Sequence, residues 1–210
     1  EFGPVVRFSR LRPPAGRRRP APPFRAAPAN ASTGNQVTVR HAAADCGNDL
    51  RKEMVIELIV IGKTDSKEVA SLVEMYARRV NFYCKFAVTA LPDIRNTKNL
   101  SVKQQRTAEG EAILRQLSDG DYVVLLDERG DEMRSVEFAY WLQKRMNSGV
   151  KRLVLVIGGP YGFSEEVYKR SDARLSLSRM TFSHQIVRAI FAEQIYRAFT
   201  ILNNEPYHHE

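Results

Sequence analysis

Cysteine is nearly absent from this chain: Cys46 and Cys84 are the whole supply. Two cysteines build neither a disulfide framework nor a thiolate zinc site, which suits a reducing or neutral compartment. The adjacent pair His208-His209 has no further ligands at metal-binding spacing, so no metal is expected. No apolar run approaches the roughly 18 residues that span a bilayer, and no membrane partner is expected either. The Lys-Ser/Thr of a Walker phosphate loop is missing, and so is the G-x-G-x-x-G of dinucleotide folds. Phosphate binding is therefore not indicated.

What is present suits one folded domain with an appendage. The 210 residues are 43% hydrophobic and 27% charged, enough apolar material for a real core. The net charge of +8 is unevenly placed. Residues 1–50 hold eight Arg, no Lys and three acids, which is most of the excess. Residues 51–210 hold 24 basic and 21 acidic side chains, so the domain itself is only mildly basic. Overall charge is thus weak ground for nucleic-acid binding. Six of the ten prolines lie between Leu11 and Pro28, among Arg and Ala, with no apolar periodicity. Residues 1–50 are expected to be a disordered or transit-peptide-like extension, because Arg-rich, acid-poor termini without an apolar core resemble organellar targeting segments. A basic arm that touches RNA is the alternative. The folded domain is expected over 53–210.

Within it, apolar β-branched runs alternate with helical patterns. Met54–Ile61, Phe86–Leu91, Tyr122–Leu126, Leu153–Ile157 and Arg174–Ser178 read as strands. Capping-box spacings at Asp65–Glu68 and Ser101–Gln104 open two helices, the second reaching about Leu117. Ser135–Met146 is a third helix, with Phe138, Trp141 and Leu142 on one side, and Ser164-Glu-Glu166 caps a short fourth. His184–Asn203 is a long fifth helix. Its Ile186, Ile190, Ile195, Phe199 and Leu202 read as core or as a subunit interface. The fold class expected is α/β, a mostly parallel sheet with helices on both faces. Ligands gather beyond the carboxyl ends of such strands, which points to the loops after Leu126, Ile157 and Leu177.

Two of these loops carry chemistry. Gly158-Gly-Pro-Tyr-Gly162 lets a ligand approach the backbone, with the proline stiffening it. Alone, it reads first as a plain strand-to-helix turn. Leu177–Phe182 offers backbone hydrogen bonds between the apolar side chains of Leu177, Met180 and Phe182. It also reads as a strand end followed by an N-cap from Thr181 or Ser183. Arg188 follows His184 by one turn, so both share a helix face near these loops. The ending Tyr207-His208-His209-Glu210 has groups that stack on an unpaired base, or it is a frayed end.

Taken together, these segments resemble the RlmH family of SPOUT methyltransferases. The resemblance rests on Leu125-Leu126-Asp127-x-x-Gly130, Ile157-Gly158-Gly159-Pro160-x-Gly162 and Leu175-Ser176-Leu177-Ser178-x-Met180-Thr181. It adds His184, Val187-Arg188, Glu193-Gln194-x-Tyr196-Arg197-Ala198 and the ending Asn204-x-Pro206-Tyr207-His208. It covers about Met54 to Glu210, in order.

The resemblance implies a deep C-terminal trefoil knot, a homodimer, and S-adenosyl-L-methionine as cofactor. Leu126, Gly158, Gly159, Leu177, Ser178, Arg179, Met180, Thr181 and Phe182 would hold that cofactor. The implied substrate is N3 of a pseudouridine in a large-subunit rRNA hairpin loop, on assembled ribosomes. Arg188, His184, His208 and Tyr207 are the catalytic residues expected: Arg188 against charge on the imide oxygen, and His184 or a partner's His208 to orient the base or accept its proton. Family members carry Arg where this chain has His209, which leaves the tail's hold on phosphate weaker. The N-terminal extension suits an organelle with bacterial-type ribosomes, the plastid before the mitochondrion. A non-enzymatic RNA-binding or ribosome-assembly module is the rival reading, and a nucleotide-dependent oxidoreductase a more distant one.

Overall fold

Strand β1 (Val55–Ile61) is almost wholly buried, as a strand covered on both faces must be. It pairs in parallel with β2 (Lys85–Leu91) on one side and with β4 (Arg152–Ile157) on the other. Next to β4 lies β3 (Tyr122–Glu132), and then β5 (Ala173–Ser176). The order β2-β1-β4-β3-β5 is parallel throughout, so every connection is a crossover. This computed structural model describes residues 54–94 and 100–209. The extension expected at 1–50, and most of the polar loop expected at Asp93–Leu100, lie outside the described residues.

Alternate strand residues feed two cores. Ile56, Leu58 and Val60 of β1 meet α1 (Lys67–Val80), α3 (Ser135–Asn147) and α5 (Ile186–Leu202) on one face, through Val80, Phe138, Leu142, Phe191, Ile195 and Phe199. Ile59 and Ile61 meet α2 (Val102–Leu114) and α4 (Glu165–Arg170) on the other, through Ile113 and Val167. Phe138, Trp141 and Leu142 share one side of α3, as their spacing requires.

Local signals set most helix starts. The capping box Ser101–Gln104 forms at α2, and Ser164 Oγ accepts from Val167 N at α4. At α1 the cap is Ser66, one residue beyond the expected start of its box, because the Asp65 amide donates to Gln185 Oε1 instead.

Helix α2 ends at Leu114, short of the expected Leu117, and three further boundaries near the carboxyl ends of the strands differ from expectation. β3 was expected to stop at Leu126. It resumes after an outward bulge, with Leu175 of β5 opposite both Leu126 and Asp131. Gly130 permits this: a Cβ there would lie 2.6 Å from the Leu175 backbone. β5 ends at Ser176 rather than Ser178, because Ser176 Oγ donates to the Ser178 carbonyl and Ser178 Oγ accepts from Met180 N. Helix α5 begins at Ile186, not His184; Ser183 Oγ takes the Gln185 amide and the Ser183 carbonyl takes that of Val187. Thr181 does not cap it, and Ile186 is 37% exposed rather than core.

At the amino ends of the strands, Arg152 bridges Glu57 at 2.8 Å and also contacts Asp121. Burial opposes charge on Glu57, but hydrogen bonds from Thr89 and Arg152 outweigh it and hold its carboxyl below the usual range. Such a group stabilises the fold at neutral pH and stops doing so as pH falls through its lowered pKa. Arg152→Ala is expected to cost about 2–4 kcal/mol in urea unfolding at pH 7, since it strands two partly buried carboxylates. The same comparison at pH 3 should show a smaller loss.

Candidate active site

The carboxyl ends of β3, β4 and β5 open into one cavity of about 440 Å³. Each strand delivers one wall. Leu126 and Asp127 come from the bulge of β3, the turn Gly158–Phe163 from the end of β4, and Leu175–Ser178 from β5 and its exit. Met180, Thr181 and Phe182 close a further side, with Val187 from the first turn of α5.

The glycine turn is shaped by what lies under it. The Gly159 carbonyl accepts from Gly162 N at 3.2 Å, and Gly162 has φ +77°. A Cβ at Gly158 would meet the Phe163 ring at 3.0 Å, and one at Gly159 would meet the Glu109 carboxylate at 2.5 Å. A Cβ at either position would have to displace its neighbour, and with glycine there the backbone itself forms the wall.

On the β3 side, Asp127 is held in place. Its Oδ1 accepts from the Arg129 amide at 2.8 Å, and its other oxygen accepts from Tyr168 Oη. Burial, then Asp127, pushes the Tyr168 phenol up to about 12, so it stays protonated as a donor. Arg106 and Arg129 add positive charge to the lining, and Glu128 pairs with Arg129. The rim is apolar and open: Met180 is 76% exposed and Tyr161 48%.

The residues expected to bind a cofactor are brought together, with one exception. Leu126, Gly158, Gly159, Leu177, Ser178, Met180, Thr181 and Phe182 all line the cavity. Arg179 does not; its side chain points outward to an ion pair with Glu132 at 3.3 Å.

The four residues expected to be catalytic fall into two places, and none lines the cavity. His184 and Arg188 sit beside it at the end of β1. Arg188 is 1% exposed and donates to the carbonyls of Ile61, Gly62 and His184 and to Thr64 Oγ1. Tyr207 and His208 lie against the middle of α5. Tyr207 Oη donates to Glu193 Oε1 at 3.1 Å, the Arg197 guanidinium lies 4.8 Å over its ring, and His208 Nδ1 is 3.4 Å from Arg197 Nη1. Arg197 itself binds Glu193. Tyr207 and His208 are docked on the helix, not frayed. Ten residues of helix separate Val187 from Arg197, about 15 Å at 1.5 Å per residue.

Sequence reading missed Arg106, Asp127, Tyr168 and Glu109 as site residues. Asp127 carried a signal, since it directly follows a strand. The others come from helices whose facing only packing reveals. Among the described residues no group of three or more His, Cys, Asp or Glu could hold a metal ion, and no helix is long and apolar enough to cross a membrane.

Comparison with known proteins now bears on this geometry. A family described as "Predicted SPOUT methyltransferase" matches residues 54–208. The chain is 58% identical over 156 residues to Ribosomal RNA large subunit methyltransferase H of Christiangramia forsetii, covering 74% of this chain and 99% of that one. The protein of the same name from Flavobacterium johnsoniae is 59% identical over 157 residues, covering 75% of this chain and all of the relative. That from Parabacteroides distasonis is 57% identical over the same length, with the same coverage. A cavity walled by backbone at the carboxyl ends of three parallel strands, and a match that spans every described element, have one explanation: the chain belongs to the SPOUT methyltransferase family, among the relatives named Ribosomal RNA large subunit methyltransferase H.

Proposed function

We propose that this chain transfers a methyl group from S-adenosyl-L-methionine to N3 of a pseudouridine in a large-subunit rRNA hairpin loop, on assembled ribosomes of an organelle, with the plastid favoured. The observation that carries the reading is the cavity lined by eight of the nine residues expected to hold the donor. Its relatives bear the name of a large-subunit rRNA methyltransferase. The deep trefoil knot is part of the same reading. It is supported by β4 entering the sheet between β1 and β3, strands laid down earlier in the chain.

The residues present fit this donor. About 440 Å³ lies within the range of small-molecule sites, roughly 300–1,000 Å³. Leu126, Leu177, Met180 and Phe182 offer apolar walls for a purine. The bare backbone at Gly158 and Gly159 admits close approach, and Asp127 and Arg106 offer charges of both signs to a zwitterionic ligand. When bound, the donor supplies an already electrophilic methyl group, so the protein's task is chiefly alignment.

Arg188 positions rather than touches. Its donors fix the carbonyl end of β1 and the turn that carries His184, and its positive charge stays beside the cavity to offset charge developing on the imide oxygen. His184 orients the base or takes the N3 proton. Tyr207 and His208 stand about 15 Å along α5 from their own cavity. A second copy of the chain would bring them to it, which is the role of the homodimer in this reading.

The founding experiment measures labelled methyl transfer to unmodified bacterial-type ribosomes and to free rRNA. Label in large-subunit RNA only from assembled ribosomes is expected; no label with donor still bound would reassign the substrate, and no donor binding would favour the binding-module reading. Arg188→Ala is expected to lower kcat/KM at least about a hundredfold and reduce thermal stability, while donor affinity measured by calorimetry changes little. Deleting Tyr207–Glu210 should remove transfer to ribosomes yet leave donor binding intact; full activity in the truncated protein would remove the tail from the site.

A further inference from the structure

Glu109 on α2 is a carboxylate with no assigned task and an unusual position. It is 4% exposed. Its Oε1 accepts from Gln105 Nε2 at 2.9 Å, while its Oε2 is buried without a hydrogen-bond partner. Buried carboxylates are normally paired, because leaving one oxygen dry and unpartnered is costly.

The place it occupies explains why a charge would be kept there. The carboxyl group rests against Gly159: a Cβ at that glycine would lie 2.5 Å from Oε2 and 2.9 Å from Oε1. Gly159 lines the donor cavity. A single bare backbone unit therefore stands between the carboxylate and the ligand space. Burial raises the Glu109 pKa, and Asp93 raises it further, while Gln105 and His184 oppose the rise. Arg106, three residues earlier on the same helix, lines the cavity. The other acids of the cavity already have partners: Asp127 holds Tyr168 and the Arg129 amide, and Glu128 pairs with Arg129.

We propose that Glu109 is the counter-charge for the sulfonium of the bound methyl donor, acting through the Gly159 wall, and that it sets the preference for the charged donor over its uncharged by-product, S-adenosylhomocysteine. This rests on the donor reading given above. Both ligands carry the same adenosine and the same amino-acid tail; they differ at the sulfur alone, in its methyl group and the positive charge that comes with it. Across a backbone wall of low polarity, one unit charge acting on another changes affinity on the order of tenfold or more. A product that no longer meets its counter-charge leaves more readily, which is a use for a carboxylate with one oxygen left unpartnered. Glu109 is in this sense a specificity-determining residue and not a catalytic one.

The test is calorimetric titration of the full chain, wild type and Glu109→Gln, with S-adenosylmethionine and with S-adenosylhomocysteine. Glutamine keeps the shape, and a melting curve checks the fold. The expected result is a loss of about tenfold or more in affinity for the sulfonium ligand, with the thioether ligand unchanged. Equal losses for both ligands would mean that the carboxylate only shapes the glycine turn, and no loss for either would mean that its charge is not felt; each overturns the proposal. A second measurement needs no variant. In wild type at pH just above the ordinary carboxylate range, titrations in buffers of different ionisation heat should show proton release on binding S-adenosylmethionine, as the carboxyl with the raised pKa ionises, and none with S-adenosylhomocysteine. Equal release for both overturns the proposal even if the variant does not fold. Wild type that binds neither ligand overturns the donor reading itself, an outcome distinct from a variant that behaves as wild type.

Discussion

Where a strand runs out of its sheet, its last carbonyls lose their ladder partners, and a buried carbonyl still needs a donor. Arg188 answers this need for the central strand. Its buried guanidinium donates to the carbonyls of Ile61 and Gly62 and, one turn back, to that of His184. The end of β1, the turn before α5 and the start of α5 are thereby one rigid piece. The glycine turn of β4 stands beside that piece, because β4 is hydrogen-bonded to β1 along its length. The cavity's fourth side, Val187, belongs to the same helix turn. This junction ties the first turn of α5 to the strand ends, while Phe191, Ile195 and Phe199 pack the rest of the helix on the sheet.

Charge is arranged differently at the two ends of the sheet. At the amino ends, Arg152 is saturated by Glu57 and Asp121, and both acids have their cation. That end is closed electrostatically and serves the fold. At the carboxyl ends, Arg106 and Arg129 face the cavity and Glu109 keeps an unpartnered oxygen behind it. Unbalanced charge is tolerated where a ligand brings its complement. The second polar cluster, Glu193, Arg197, Tyr207 and His208, sits about 15 Å along α5 from its own cavity. It is charge-paired and ring-stacked, and Tyr196 packs edge-on against Tyr207 at 4.8 Å. This packing gives Tyr207 and His208 a defined place.

Much of the fold was legible in the residues. β-branched runs such as Val55–Ile61 and Leu153–Ile157 can bury both faces only inside a parallel sheet, and they do. The caps at Ser101 and Ser164 are local hydrogen bonds, so local sequence suffices to find them. Boundaries set by contacts with distant strands were not legible. The bulge in β3 depends on Gly130 meeting the Leu175 backbone, 45 residues away in sequence, and the start of α1 on a bond from Asp65 to Gln185. Among the site residues, those contributed by backbone were found and those contributed by helix side chains were not. Gly158, Gly159 and Leu177–Phe182 lie directly after strands, where chain order alone points to the ligand. Glu109 and Arg106 look like any solvated pair on a helix until packing turns them toward the glycine turn. Arg179 shows the converse: it lies within the right segment, yet its side chain turns outward to Glu132.

The sequence by itself determined the alternation of strands and helices, the two-sided burial of the sheet and the loops at which a ligand would sit. These follow from periodicity, capping and glycine placement, all of which act over a few residues. Only the tertiary structure decided that Arg188 is a buried clamp, that the tail docks on α5 and that Glu109 lies dry behind Gly159. Each depends on which side chain meets which carbonyl, ring or backbone across more than ten residues of intervening chain. No short-range pattern encodes that meeting, because it is fixed by the packing of whole elements against one sheet.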